Sequence, residues 1–369
     1  MTLPTRLLQA VRPQASAGVM AGAAVVAANF AATPFLLPDV ADRLAIDIGA
    51  TGLLSTAQVG SFAAATFLAG RLFKPRGYLH YWALGILAVA SFGSSLATNL
   101  PWLLVTRVVA GLGMGTLTWI AWADATRFAR GLGDVAAIAP LTAAIVSPIF
   151  GWVIGTGGYP LLYAVLAAVA AAGLVLRIDV GDMPKVGKTV SPSQSNRVLL
   201  FSLGILTLGG SSVFVFSAAT AESVQGLSAL QVSWALSVNA ITGVVATRVK
   251  ARPGTVRYWI AATAAAALAV GLLGSPTVFY LALAIWGFAF WMAVPAVLKM
   301  LAEWSLAPNE RMGDAQAAMA VGRMFGPVVG GLAIGSGHFG RLSVVGAVVM
   351  TIGAVSIGLV ESYRRAAAR

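Results

Sequence analysis

Arg71–Trp82, RLFKPRGYLHYW, is a short basic segment between two long apolar runs. Arg248–Trp259, RVKARPGTVRYW, stands 177 positions further along in the same setting. Arg71/Arg248, Gly77/Gly254, Tyr81/Tyr258 and Trp82/Trp259 are identical without a gap, and His80 aligns with Arg257. Each copy follows the second apolar run of its own half. A duplicated chain is the simplest reading, and the sequence reads as two halves hung on these loops.

The surrounding composition sets the class. Of 369 residues, 59% are hydrophobic and 10% charged, against about 25% charged in a soluble domain. Such a chain cannot cover its surface with polar groups, so a polytopic membrane protein is expected. Cysteine is absent, which removes disulfides and thiolate sites. His80 and His338 lie far apart, and the ten methionines form no pair at helix spacing. No metal site and no cofactor are expected. The net charge of +12 sits in short loops, with no basic face carrying interleaved aromatics. It follows the positive-inside pattern, and no nucleic-acid partner is expected.

A membrane helix needs about 20 mainly apolar residues. That ruler predicts twelve spans in the sequence. They lie near 17–37, 52–72, 80–98, 101–123, 134–156 and 158–177 in the first half. The second half has them near 197–219, 229–247, 257–274, 276–301, 314–335 and 340–361. The first run is too long for the apolar core of a signal peptide and reads as a retained helix. Asp179–Asn196, DVGDMPKVGKTVSPSQSN, is polar and rich in Gly, Pro, Ser and Lys, and reads as a linker. The expected organisation is an all-α membrane protein. Residues 1–178 form one six-helix bundle, 179–196 a cytoplasmic linker, and 197–369 a second bundle. Loops holding Arg71, Lys74, Arg76, Arg127, Arg130, Lys185, Lys188, Arg248, Lys250 and Arg252 fall on one side. The other side holds Arg43 and Arg341, with Asp39, Asp42 and Asp47 in its first loop. Both termini are therefore expected in the cytoplasm, with the chain in the cell (inner) membrane.

Two motifs carry a family resemblance. Arg107–Gly115, RVVAGLGMG, puts an arginine and Gly111, Gly113 and Gly115 inside the fourth span. An arginine there is expensive and needs a partner or a function; the glycines permit close helix approach. Gly322–Gly331, GRMFGPVVGG, places Gly322, Gly326, Pro327 and Gly330 in span eleven. With six plus six spans and the basic loop between spans two and three, the chain resembles the major facilitator superfamily over nearly its whole length. In span five, Ser147–Gly151 keeps Pro148 and Gly151 of the glycine–proline pattern. In relatives that export drugs by proton antiport, the fuller pattern lies there. Leu37–Asp39 followed by Gly52–Thr56 is similar to the first outer loop of small-molecule exporters. In the basic loop Lys74 stands where the family has an aspartate, and Asp124 is the candidate substitute, facing Arg71 or Arg127.

The resemblance implies a central cavity lined by spans one, four, seven and ten, with the site near the midplane. Carried over by span, the substrate-binding candidates are Asn29, Phe30, Arg107, Trp119, Phe214, Phe216, Trp286 and Phe290; Phe35, Trp122, Trp291 and Lys299 lie on the same spans. The coupling or gating candidates are Asp39, Arg71, Lys74, Asp124, Arg127 and Arg323. Aromatic walls with a few polar groups suit an organic molecule. No Asp or Glu falls at the middle of any span, whereas Arg107 and Arg323 do lie within spans. A bare cation in a low-dielectric cavity favours a neutral or anionic solute over a cationic one. The expectation is a monomeric secondary transporter working by alternating access, most simply proton-coupled efflux. An uptake carrier or uniporter for an organic anion is the alternative; a non-transporting assembly factor or receptor is the alternative of another class. No catalytic grouping is present, so no enzyme is expected.

Overall fold

The computed structural model describes residues 16–73, 76–125, 131–178, 191–249, 252, 254–305, 308–335 and 337–367. Among them every regular element is a helix. The helices are α1 (Ala17–Leu44), α2 (Ile48–Leu72), α3 (Gly77–Ser95), α4 (Leu100–Ala125), α5 (Gly131–Gly173) and α6 (Gln194–Phe214). They continue with α7 (Ser217–Gln225), α8 (Ala229–Thr247), α9 (Val256–Leu272), α10 (Pro276–Glu303), α11 (Pro308–Ile334) and α12 (Phe339–Ala367). Nine are long and apolar enough to cross a membrane. At 17 residues α9 falls short of that length, and Tyr78, His80 and Tyr81 make the start of α3 polar.

Short polar side chains set the helix starts. Ser16, Asp47 and Ser193 each accept a backbone N–H of their own first turn. Ser228 and Gln231 form a reciprocal capping box at α8. The first cap sits just before span one and the third inside the expected linker, so span seven starts at Gln194. The linker residues 179–190 lie outside the described residues, as do Lys74, Arg127 and the side chain of Arg71.

Two elements depart from one helix per span. Spans five and six are the arms of α5, folded back at Gly158 with φ 71°. The guanidinium of Arg43 occupies the space a Cβ would need there, so glycine serves both the backbone and the packing. Asp39 accepts the Tyr159 N–H at 2.6 Å and thereby caps span six. Span seven is α6 and, after an interruption at Val215 and Phe216, the first turn of α7, the rest of which lies beyond the span.

The helices alternate in direction. The end carrying Arg76, Arg177, Arg197, Arg248 and Arg252 is the basic end; the end carrying Asp39, Asp42 and Asp47 is the acidic end. Glycine lets helices touch backbone to backbone. Gly111 and Gly115 sit on α2 and Gly113 on α3; Gly322, Gly326 and Gly330 sit on α6 and the turn after it. The duplicated loop keeps its place but not its contacts. Tyr81 donates to the Leu176 carbonyl at 3.0 Å, whereas Tyr258 accepts from Arg257. His80 is buried against Gly22, whereas Arg257 lies over Gly358.

The first bundle (α1–α5) meets the second (α6–α12) through α2 with α11, α5 with α8, and α1 with α7. A Cβ on Gly49 would stand 2.5 Å from the Gly331 carbonyl oxygen, and one on Gly52 would stand 2.7 Å from that of Pro327. Ser237 donates to the Ala144 carbonyl at 3.1 Å, and Gly151 abuts Ser233. These contacts run from the acidic end to about the midplane.

Candidate functional site

Arg107 enters the membrane from the acidic end of α4 and is 2% exposed. Its Nη2 donates to Ser94 Oγ at 2.6 Å and to the Ala90 carbonyl at 3.3 Å on α3. Its Nη1 lies 3.4 Å from Gln58 Oε1 on α2. The guanidinium stacks over the Tyr163 ring of span six, 4.3 Å from the centroid. Three neighbouring spans of the same bundle therefore hold one cation by hydrogen bonds and a ring face. The structure places this arginine inside the first bundle rather than between the bundles. Gln58, Ser94 and Tyr163 were not singled out in the sequence. The one local signal was a polar residue inside an apolar span.

Arg323 has the opposite setting. It lies near the middle of α11, is half-buried, and makes no hydrogen bond, ion pair or ring contact to the described residues. Its direction follows from its neighbours at about 100° per residue. Gly322 and Gly326 face α6; Met324 and Pro327 face α2 of the other bundle. Val321, Phe325 and Leu332, 53%, 47% and 78% exposed, form the outer, lipid-side strip. Position 323 falls opposite that strip, in the seam between α6 and α2. Gln316, seven residues closer to the basic end, points within about 20° of the same direction and is exposed. On α2, Gly52 is buried against the other bundle, whereas Phe67, further toward the basic end, is 53% exposed. The bundles therefore touch at the acidic end and diverge toward the basic end. Among the described residues α4 and α10 form no packed interface.

The aromatic candidates divide between these regions. Phe214 and Trp286 meet across α6 and α10 with ring centroids 5.9 Å apart. Phe30 meets Phe62 edge to face at 5.3 Å. Phe290 is partly buried beside Trp291, which lies against Gly243 of α8. Trp119 is half-buried near the basic end of α4. Phe35 is buried in the core. Phe216 is fully buried, with its ring between Gly52 and Gly330, in the contact that closes the acidic end. Asn29 is buried near the middle of α1; its amide N–H donates to the Val25 carbonyl and its Oδ1 has no partner among the described residues.

The charged candidates sit at the ends. Asp39 pairs with Arg43 at 3.0 Å while it caps span six. Asp124 is fully buried at the basic end of α4; the expected partners Arg71 and Arg127 lie outside the described side chains. Lys299 pairs with Glu303 at 3.6 Å on the surface. Glu222, not singled out in the sequence, is half-buried on α7 beyond the span. Burial first, then the charges of Asp42 and Asp39 across the bundle boundary, push its carboxyl up to about 7. No group of three or more metal-ligating side chains occurs among the described residues.

Comparison with known proteins places this geometry. The family model described as Major Facilitator Superfamily matches residues 19–331. Similar solved structures include a bacterial homologue of the human lysosomal transporter Spinster, inward-facing and occupied. Its TM-score is 0.69 at 15% identity, covering 95% of this chain and 96% of that one. The nucleoside transporter NupG aligns at TM-score 0.70 and 11% identity over 93% and 98% of the two chains. The human organic anion transporter MFSD10 aligns at 0.65 and 13% over 92% and 98%. A search of curated proteins finds no match.

Proposed function

Because the chain belongs to the major facilitator superfamily, we propose that it is a secondary transporter carrying a small organic solute, neutral or anionic, by alternating access. The observation that carries this reading is the pair of bundles in contact at the acidic end and diverging toward the basic end. Glycine-to-backbone contacts between α2 and α11 close one side without locking side chains together, so the bundles can rock about the midplane. The basic end faces the cytoplasm and the chain works as a monomer in the cell membrane. The likeness of Leu37–Asp39 to exporter loops supports outward movement. Glu222, which titrates near neutrality where the two bundles meet, supports protons as the coupling ion.

Reconstitution tests the reading. Purified protein in liposomes is screened with a radiolabelled panel of neutral and anionic organic solutes, with and without an imposed pH gradient. Saturable flux accelerated by the gradient is the expected result. Binding without flux for every bound solute would favour the receptor or assembly-factor class. For orientation, Ser191→Cys is read in a chain with no native cysteine. Labelling by an impermeant thiol reagent from outside intact cells would reverse the assigned topology.

A further inference from the structure

We infer that Arg323 is the anion-holding group of the solute site, binding an oxyanion such as a carboxylate or phosphate on an organic molecule. The inference rests on the transport reading only in calling the bound anion a solute. Three observations converge on this residue. First, Arg323 stands near the middle of α11 and, among the described residues, makes no hydrogen bond, ion pair or ring contact. A guanidinium offers five donors, and the described residues engage none of those of Arg323. Second, the packing of Gly322 on α6 and of Met324 and Pro327 on α2 aims position 323 into the seam between the bundles. Third, Gln316 lies on the same strip, exposed, about two turns toward the basic end. A polar, exposed side chain thus stands on the same helix face between that end and the cation.

Among the described residues no Asp or Glu forms an ion pair with Arg323. Arg107 cannot serve instead: its fork is already spent on Ser94, Ala90 and Gln58, and Tyr163 covers its face. An oxyanion satisfies the planar fork by two parallel hydrogen bonds. A cationic solute would meet an unscreened like charge.

A cysteine at Gln316, in the otherwise cysteine-free full chain, reads the site. Membranes are treated with a sulfonate-bearing methanethiosulfonate and, separately, with its trimethylammonium counterpart. Both react with the same thiolate, so the ratio of rates cancels any shift of the thiol and reports the local potential. Normalised to the ratio for a small free thiol in solution, the expected ratio favours the sulfonate roughly tenfold, falls toward unity in Arg323→Gln, and persists in Arg323→Lys. Benzoate is expected to slow the sulfonate reagent in the parent chain but not in Arg323→Gln, and benzamide to slow neither. An unmodified cysteine, a ratio indifferent to Arg323→Gln, or benzoate without effect each overturns the assignment. Neither arm needs turnover. Liposomes that move no solute while both arms hold would remove the transport reading and leave the anion site standing.

Discussion

Arg107 and Arg323 are two arginines within the spans of one chain, and their surroundings are opposite. Arg107 has three other spans of its own bundle around it, with its Nη atoms donating to oxygens and a tyrosine under its plane. Arg323 looks out of its bundle into the seam and has nothing from the described residues. The difference separates two uses of an expensive charge. A cation satisfied inside a bundle holds that bundle together in every state of the transporter. On the proposed transport reading, a cation between bundles is left for a solute, and its surroundings change as the bundles rock.

The largest expected effect breaks the first half of that contrast. Arg107→Ala removes the cation and leaves Ser94 and Gln58 beside a cavity. A loss of about 3 kcal/mol is expected from the lost charge-assisted hydrogen bonds and the void. The measurement is the thermal unfolding midpoint in detergent, without any solute. Arg107→Met, which keeps much of the volume, should lose distinctly less, because a filled apolar core tolerates the absence of a buried charge. Arg323→Ala should leave the midpoint nearly unchanged while flux disappears. Equal destabilisation by both alanines would erase the distinction.

The next effect concerns the helix that aims Arg323. A Cβ on Gly326 would already stand 2.7 Å from the Leu208 carbonyl oxygen. Gly326→Leu forces α11 off α6, and overpacking of this kind costs about 1–3 kcal/mol. Flux and midpoint should fall together. A variant with the parental midpoint and full flux would show that α11 does not need this close approach.

These residues also mark what the sequence could and could not disclose. Span number, the six-plus-six division and the packing glycines were legible, because apolar length and small-residue spacing act locally along the chain. The place of Arg107 about two turns into α4 was legible too, since the helix begins next to Pro101. Its partners were not: Ser94, Gln58 and Tyr163 come from three other spans, and no single-chain period pairs them. The direction of Arg323 was not legible, because it depends on which neighbours Gly322 and Met324 touch around α11. Phe216, a substrate candidate by span number, sits in the closing contact because span seven breaks at residues 215–216. The setting of Glu222 was not legible, because its neighbours Asp39 and Asp42 belong to the other half of the chain.

The smallest expected effect uses Glu222 as a second group between bundles, at the closed end. In this state α7 lies against α1, and the charges facing Glu222 from α1 are Asp42, Asp39 and Arg43, the last engaged by Asp39. Burial and the two carboxylates raise the Glu222 carboxyl from 4.5 to about 7. When the bundles part at this end, water reaches the group and its affinity for a proton falls back toward the ordinary carboxylate value. The closed state thus binds the proton more tightly than the open one. Its advantage is fully present below about 4.5 and is lost as pH rises through about 7. Spin labels on Thr98→Cys and Ser223→Cys, both exposed at the acidic end and one in each bundle, give the measurement. The population with a long inter-label distance should grow as pH is raised from 5 to 8. In Glu222→Gln, which mimics the protonated group at every pH, that growth should be reduced and the short distance favoured at pH 8. An undiminished pH response in Glu222→Gln would assign the sensing to another group. A response of opposite sign in the parent chain would mean that charge on Glu222 favours closure of the acidic end rather than its opening.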